Sequence, residues 1–219
     1  MANIDAKSPH SNWGGKRNRA DRVSLVLTHA IARTIISGAY QARALGLPLN
    51  RFITIHLERA RICDADAAAA IGKIMKLATD WMRRKGKVIA YAWVRENDAG
   101  NGSKGSHVHI LCHCPETIPI GRMWRRWLRN VTGRPYRAKT IKSKPVGATL
   151  GLYAKNPVEY SQNLDRVLAY ICKGVTSKDA AMLGLRRYNE GGRIIGKRAS
   201  VSENIGKNSR VLGPECYRG

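Results

Sequence analysis

This chain of 219 residues has neither a long apolar run nor cysteines spaced as Cys-x-x-Cys. The longest apolar run, 88–94, is much too short to span a bilayer, and the N-terminus lacks the apolar core of a secretory signal. We therefore expect a cytoplasmic protein that does not bind membranes. The five cysteines are an odd number with no Cys-x-x-Cys pair, which argues against a disulfide framework and a structural zinc knuckle. We expect them to be reduced packing residues.

Acidic residues are scarce as well, with 15 Asp and Glu against 39 Lys and Arg, so the formal net charge is +24. This charge is far beyond what solubility requires, and its sign is the one that binds polyphosphate. Nucleic acid is therefore the expected partner. The hydrophobic content of 43% is enough for a real core, and the length suits one domain with appendages.

The basic residues are densest between 116 and 150, a stretch that contains nine Lys and Arg residues and one acidic residue. Arginines recur there at helical spacing beside Trp124 and Trp127, and this mixture of phosphate-binding and base-stacking groups suits a single strand. The alternative is that both tryptophans belong to a buried stripe and that the arginines are only solvated. The predicted DNA-binding residues are Arg122, Trp124, Arg125, Arg126, Arg129, Arg137, Lys139 and Lys142.

Hydrophobic periodicity and turn residues divide the chain into alternating strands and helices. From residue 51 the predicted order is β-α-β-β-α-β, which indicates an α+β protein with the split βαβ arrangement of ferredoxin-like folds. The antiparallel sheet would carry helices on one face and the functional site on the other, open face. The predicted strands are 51–58, 88–96, 107–112 and 136–142, and the predicted helices are 21–45, 64–86 with Asp64 as N-cap, 119–131 and 157–173.

These elements and the charge pattern predict three regions. Residues 1–20 form a basic mobile arm, and 21–174 form the main domain, with its motifs between 51 and 174. Residues 175–219 form a basic C-terminal extension that could grip duplex or hairpin DNA, fold over the domain or mediate oligomers.

Two histidines, His107 and His109, flank a single apolar residue in the third predicted strand. Side chains at i and i+2 leave a strand on the same face, so both imidazoles can reach one metal ion. Val108, Ile110 and Cys112 then point into a core. The alternative for the histidines is that they are surface imidazoles.

Glu96 is the candidate for a third ligand. If it lies opposite His107 across the predicted hairpin, the two side chains share a face with their β-carbons about 5 Å apart. Two imidazoles and a carboxylate make a divalent site with open positions for water and substrate oxygens. The alternative for Glu96 is an exposed carboxylate at a strand end, and His56 could also face this site from the first strand.

A second pair of residues, Tyr170 and Lys173, lies at the end of the last predicted helix. Residues at i and i+3 share a helical face, so the ammonium can sit near the phenolic oxygen or near a phosphate that this oxygen attacks. The alternative is structural, with Tyr170 half-buried and Lys173 placed at the negative end of the helix.

Together these motifs resemble the HUH endonuclease superfamily, which includes rolling-circle replication initiators, relaxases and single-strand transposases. The resemblance covers about 51–174. The three motifs of the superfamily occur here in the same order: the apolar strand 52–55, the pair His107 and His109, and the string from Tyr170 to Lys173. Because this string contains one tyrosine, it is similar to the corresponding motif of the single-tyrosine replication initiators (Rep type).

The resemblance implies a mechanism. Mn²⁺ or Mg²⁺ would be held by His107, His109 and Glu96, and Tyr170 would attack a DNA phosphate with help from Lys173. The product would be a 5′-phosphotyrosine link and a free 3′-hydroxyl, in single-stranded DNA or a hairpin at an origin. The chain lacks a Gly-x-x-x-x-Gly-Lys-Ser/Thr string, so a host helicase would have to unwind the duplex.

Other functions stay open at this point. An HUH-type transposase or relaxase differs only in biological context. A non-catalytic basic nucleic-acid-binding protein would use the same charge, with the histidines and the tyrosine in structural roles. A zinc-stabilised RNA-binding factor would use His107, His109, Cys112 and Cys114, although ligands alternating on both faces of a strand make poor tetrahedral geometry.

Overall fold

The computed structural model describes residues 21–98, 105–186 and 191–206. The predicted basic arm, 1–20, lies outside the described residues. The elements in chain order are β1 (Val23–Ser24), α1 (His29–Ala44), β2 (Arg51–His56), α2 (Asp64–Arg84), β3 (Tyr91–Asp98), β4 (Gly105–Cys112), α3 (Gly121–Thr132), β5 (Ile141–Pro145), α4 (Leu152–Lys155), α5 (Pro157–Ile171), α6 (Ser177–Met182), β6 (Ile194–Ile195), β7 (Ala199–Val201) and a 3-10 helix (Glu203–Ile205).

Five strands form the main sheet in the order β5-β2-β4-β3-β7, and every neighbouring pair is antiparallel. The predicted β-α-β-β-α-β order is confirmed, because β2, α2, β3, β4, α3 and β5 follow one another along the chain. The predicted α+β class and antiparallel pairing are confirmed as well. A separate two-stranded ribbon joins β1 to β6.

One face of the sheet packs against α2 and α3. Alternate residues of β2 and β4, including Ile53, Val108 and Ile110, are fully buried in a cluster with the apolar side chains of both helices. Side chains alternate between the faces of a strand, so this pattern turns the intervening residues of β2 and β4 to the other face. The predicted burial of Val108, Ile110 and Cys112 is confirmed.

The second face is not open, which corrects the prediction of helices on one face only. A second core cluster joins α1 and α5 to Phe52, Ala92 and Leu111 on this face. The physical reason is that α5 has its own apolar stripe, which includes Leu164 and Leu168. These side chains are removed from water by packing against the second face of the sheet. The candidate ligands occupy the same face beyond this cluster.

The described part of the C-terminal region is continuous with the main sheet. β7 pairs with β3 in the register Val94 to Ala199, and Ile205 is fully buried beside α1. The guanidinium of the fully buried Arg95 donates to the carbonyls of Ile195 and Lys197. Residues 191–206 therefore share the sheet and the core of the region predicted as the main domain.

Several predicted boundaries move. The first helix begins at His29, eight residues after the predicted start, because residues 23–24 pair with β6 instead. Asp64 is the first helical residue, not the N-cap, and its carboxylate binds Arg95 and the amide of Ile195. The predicted strand 136–142 lies at Ile141–Pro145, and the last predicted helix ends at Ile171. Within the described ranges, every helix is too short or too polar to cross a membrane.

Candidate metal centre and tyrosine site

Two neighbouring strands bring three potential metal ligands together. Glu96 on β3 is the direct partner of His107 on β4, which confirms the predicted register, and His109 follows two residues later on the same face. The Oε2 atom of Glu96 lies 3.3 Å from Nε2 of His107 and 3.6 Å from Nε2 of His109. All three side chains are buried, and their ligand atoms lie within 4.8 Å of one another.

Hydrogen bonds behind the two imidazoles fix how they point. Nδ1 of His107 donates to the carbonyl of Gly105 at 2.9 Å, which leaves Nε2 free of its proton when the ring is neutral. Nδ1 of His109 shares a hydrogen bond of 2.9 Å with the hydroxyl of Thr54 on β2. Such outer contacts orient histidines that bind metals. The Nε2 atoms of both rings therefore face Glu96.

Two atoms in this cluster have no hydrogen-bond partner among the described residues. They are Oε1 of Glu96 and Nε2 of His109, and both are buried. Buried polar atoms in folded proteins are nearly always paired, so orphans of this kind indicate a missing partner such as an ion. Two imidazole nitrogens and a carboxylate oxygen are a donor set that suits a divalent cation. The residues present therefore fit a metal.

The charge of Glu96 is balanced by Lys173, whose Nζ lies 2.5 Å from Oε2. Burial acts to raise the pKa of Glu96, but the neighbouring rings of His107 and His109 and the ammonium of Lys173 outweigh it, so the pKa lies below its usual range. Burial lowers the pKa of His109, and the attraction of Glu96 only partly offsets this. The cluster therefore presents an ionised carboxylate and a neutral His109, which is the form that binds a cation.

Tyr170 lies beside this cluster, in the last turn of α5. The centroid of its half-buried ring is 5.1 Å from that of His109 and 6.1 Å from that of Phe52. Nζ of Lys173 is 4.1 Å from the centre of the same ring. The structure therefore brings all five predicted residues of the catalytic and metal groups into one place.

A groove of about 650 Å³ opens at Tyr170. Arg166 and Arg186 line it. Arg166 was not predicted from the sequence, whereas Arg186 belongs to the basic C-terminal extension that could grip DNA, fold over the domain or mediate oligomers. Arg166 precedes Tyr170 by four residues on α5, and this spacing on one helical face is a signal that could have found it. The sequence does not predict that Arg186 lies at Tyr170, because this position depends on the path of the segment after α6. The other lining residues are Asp165, Ala169 and Gly184.

The predicted DNA-binding residues do not gather at this site. The arginines of α3 are exposed on the outside of the helix layer that covers the opposite face of the sheet. Lys142 is different, because it pairs with Thr54 on β2 and so shares the face of His109. The exposed residues of the predicted set that are not on a strand of the sheet are Arg122, Arg125, Arg126, Arg129, Arg137 and Lys139.

The prediction for Trp124 needs correction. Its side chain has 0% exposure and lies in the core between α2, α3 and the sheet, with Trp127 at 5.0 Å between ring centroids. The helix is amphipathic, and the tryptophans form the buried stripe that was the alternative interpretation. Trp124 cannot stack on a base without leaving the core.

Two further residues bear on other hypotheses for this site. His56 lies on the same face, with its ring centroid 6.0 Å from that of His107, but it is not one of the three grouped ligands. Cys112 faces the opposite cluster, away from His107 and His109. A zinc site joining Cys112 to both histidines is therefore excluded by the fold.

Comparison with protein-family models, with curated proteins and with solved structures finds no match for this chain. The geometry of the site is therefore the basis for its interpretation.

Proposed function

We propose that this protein is a metal-dependent endonuclease that nicks and rejoins single-stranded DNA through a covalent bond to Tyr170. The observation that carries the proposal is the position of Tyr170 and Lys173 beside three potential metal ligands. Tyr170 lies on a helix and the ligands lie on two strands, and it follows His109, the last of the ligands, by 61 residues in the chain. A structural role for each residue alone gives no reason for this convergence.

The topology supports the proposal. Strands β5, β2, β4 and β3 lie side by side in that order, with α2 and α3 as the connections on one face. This is the arrangement expected of a ferredoxin-like sheet built from split βαβ units, and we propose that the fold is of this type, with β7 as an added strand. It agrees with the HUH resemblance of the motifs.

The chemistry can be written from the residues of the site. The Tyr170 oxygen attacks a DNA phosphorus and forms a new ester bond, while the bond from phosphorus to the 3′-oxygen breaks. The tyrosine gives up its proton and the 3′-oxygen gains one, leaving a 5′-phosphotyrosine and a free 3′-hydroxyl. The number of phosphate ester bonds is unchanged, so attack by a 3′-hydroxyl reverses the step and joins strands.

The surrounding residues favour this step by electrostatics. Lys173, at 4.1 Å from the Tyr170 ring, stabilises negative charge on the phenolic oxygen or on the phosphate. Glu96, His107 and His109 would hold Mn²⁺ or Mg²⁺, and the bound ion would supply a positive charge that polarises a non-bridging oxygen of the phosphate. Arg166 and Arg186 line the groove at Tyr170 and suit the flanking backbone phosphates.

The experiment that tests the proposal is covalent capture. We would incubate the full chain with a pool of single-stranded oligonucleotides and Mn²⁺, and then look for a protein-DNA adduct on a denaturing gel. We expect an adduct that disappears with a chelator and with Tyr170→Phe. Tyr153→Phe is the matched control, because Tyr153 is partly buried on α4 and lies outside the site.

If DNA binds but no adduct forms across a diverse pool, the nuclease proposal fails and the non-catalytic nucleic-acid-binding protein takes its place. If an adduct forms equally in Tyr170→Phe, the nucleophile is assigned to the wrong residue. Sequencing the trapped DNA would give the nicked sequence.

A further inference from the structure

A second cavity, of about 170 Å³, lies beyond the C-terminal end of β2. It is bounded by the turn after β2, the end of α3 and the loop before β5. Five arginines line it: Arg59, Arg61, Arg129, Arg134 and Arg137. None of the five is in an ion pair with a described residue, and no described Asp or Glu lines the cavity. Such a concentration of unneutralised guanidinium groups favours binding of an anion.

The backbone at the cavity is strained. Arg61 has φ 58° and Lys139 has φ 62°, and these are the described non-glycine residues with positive φ. Arg61 lines the cavity, and Lys139 lies between two residues that do. Residues without glycine's freedom hold this conformation only where the surroundings impose it, which is common at ligand sites. Both strained positions are basic residues, one in each of the two loops that bound the cavity.

We propose that this cavity is a phosphate-binding pocket that holds a backbone phosphate of a nucleic acid strand. Its volume is several times the roughly 30 Å³ of a water molecule and below the approximately 300 Å³ at which sites for whole small ligands begin. It therefore fits one phosphate group better than a free nucleotide. Guanidinium groups bind phosphate with paired, charge-assisted hydrogen bonds.

A hydrogen bond connects the pocket to the end of β2, the strand that pairs with the strand of His107 and His109. The carbonyl of Thr140 accepts a hydrogen bond from the amide of His56 at 2.9 Å, and the ring of His56 faces that of His107. The pocket and the metal ligands therefore both adjoin the end of β2. The pocket does not depend on the cleavage step, because neither Tyr170 nor a metal ligand belongs to it.

The test is equilibrium binding of a labelled single-stranded oligonucleotide to the full chain, in a chelator, at several salt concentrations. In the double variant Arg59→Gln with Arg134→Gln we expect the Kd to rise by roughly tenfold, because charge-assisted hydrogen bonds are removed. The slope of log K against log salt should become shallower by about 0.7 for each phosphate that the variant no longer binds. The control double variant, Arg33→Gln with Arg84→Gln, removes two exposed charges outside the cavity and should leave the slope unchanged.

Equal effects of both double variants would overturn the pocket, because binding would then follow net charge alone. If the variant Arg59→Gln with Arg134→Gln fails to fold, the double variant Arg129→Gln with Arg137→Gln decides, because both residues are exposed and line the same cavity. We expect weaker DNA binding at an unchanged melting temperature, and DNA binding equal to that of the control variant would overturn the proposal. Calorimetry with inorganic phosphate supplies the last arm. Tight one-to-one binding of phosphate that is abolished in the arginine variant while DNA binding persists would mean a free phosphate ligand and overturn the nucleic acid assignment.

These outcomes are separable from those of the capture experiment. A chain that forms no adduct but shows the expected weakening in Arg59→Gln with Arg134→Gln keeps the pocket and loses the nuclease. A chain that forms an adduct but shows no difference between the two double variants keeps the nuclease and loses the pocket.

Discussion

Thr54 shows how much of the candidate metal centre depends on a single hydroxyl. This hydroxyl holds Nδ1 of His109 at 2.9 Å, and it comes from a strand that supplies none of the three grouped ligands. A ring held in this way presents Nε2 toward Glu96 without losing rotational entropy when an ion arrives. Partners of this kind typically change metal affinity by about 10- to 100-fold.

Replacing Thr54 by Val removes this hydrogen bond and keeps the shape of the side chain. We expect the Kd for Mn²⁺, measured by titration calorimetry, to rise by about 10-fold or more, with a small change in melting temperature. Thr149→Val is the matched control, because Thr149 is exposed in the loop before α4. An equal Mn²⁺ affinity in both variants would show that Thr54 does not position the ligand.

The residues of the site differ in how far sequence could identify them. His107 and His109 were predictable because strand geometry alone puts i and i+2 on one face. Glu96 was predictable because it pairs with His107 across a short hairpin. Thr54 and Arg186 were not, because their positions depend on contacts between segments distant in the chain. The prediction that Trp124 contacts DNA was wrong, because Trp124 lies on the buried face of an amphipathic helix. The sequence of such a helix does not show which of its faces packs in the core and which could contact a nucleic acid.

At the scale of elements, the least predictable part was the segment 191–206. Its strands have two and three residues, too few for an alternating pattern to stand out. The longer strands β2, β3 and β4 were predictable for the opposite reason, since each has at least six residues of alternating or apolar character. The packing of α1 and α5 against the second face of the sheet was not predicted. An apolar stripe shows that a helix is buried on one side, but it does not show which surface the helix packs against.

Truncation after residue 186 tests what this segment contributes. It would remove β7, the buried Ile205 and the carbonyls of Ile195 and Lys197 that accept from Arg95. Arg95 has 0% exposure, so its guanidinium would lose partners without gaining water. We expect a loss of several kcal/mol, on the order of that for a broken buried ion pair, seen as a large drop in melting temperature by circular dichroism.

A second truncation, after residue 206, is the control. It keeps every described contact of the segment, and we expect it to melt close to the full chain. If the chain ending at 186 melts at the same temperature as this control, residues 191–206 do not stabilise the sheet.

At the scale of the whole molecule, stability should fall as the pH drops from 7 to 5. Burial lowers the pKa of both His109 and His113, while the same histidines titrate near 6.5 in the unfolded chain. Below that value the unfolded state binds protons that the folded state does not, so acid favours unfolding. Each histidine contributes at most about 1.4 kcal/mol per pH unit.

Glu96 does not act in this range. Its pKa is lowered by folding, so its contribution is present above the unfolded value near 4.3 and disappears only at still lower pH. Denaturant unfolding at pH 5, 6 and 7 in a chelator would measure the slope. His113→Gln, which lies outside the metal centre, should reduce it, and a free energy of unfolding that is independent of pH would contradict the argument.

The pairing of β3 with β7 has a consequence for how the protein is made. β3 carries Glu96, and its partner on one side, β4, follows within a few residues, but its partner on the other side arrives about a hundred residues later in synthesis. Until then the strand that carries the ligand has an unsatisfied edge on the ribosome. The sheet that carries the three potential metal ligands is therefore completed only after the C-terminal region has been synthesised.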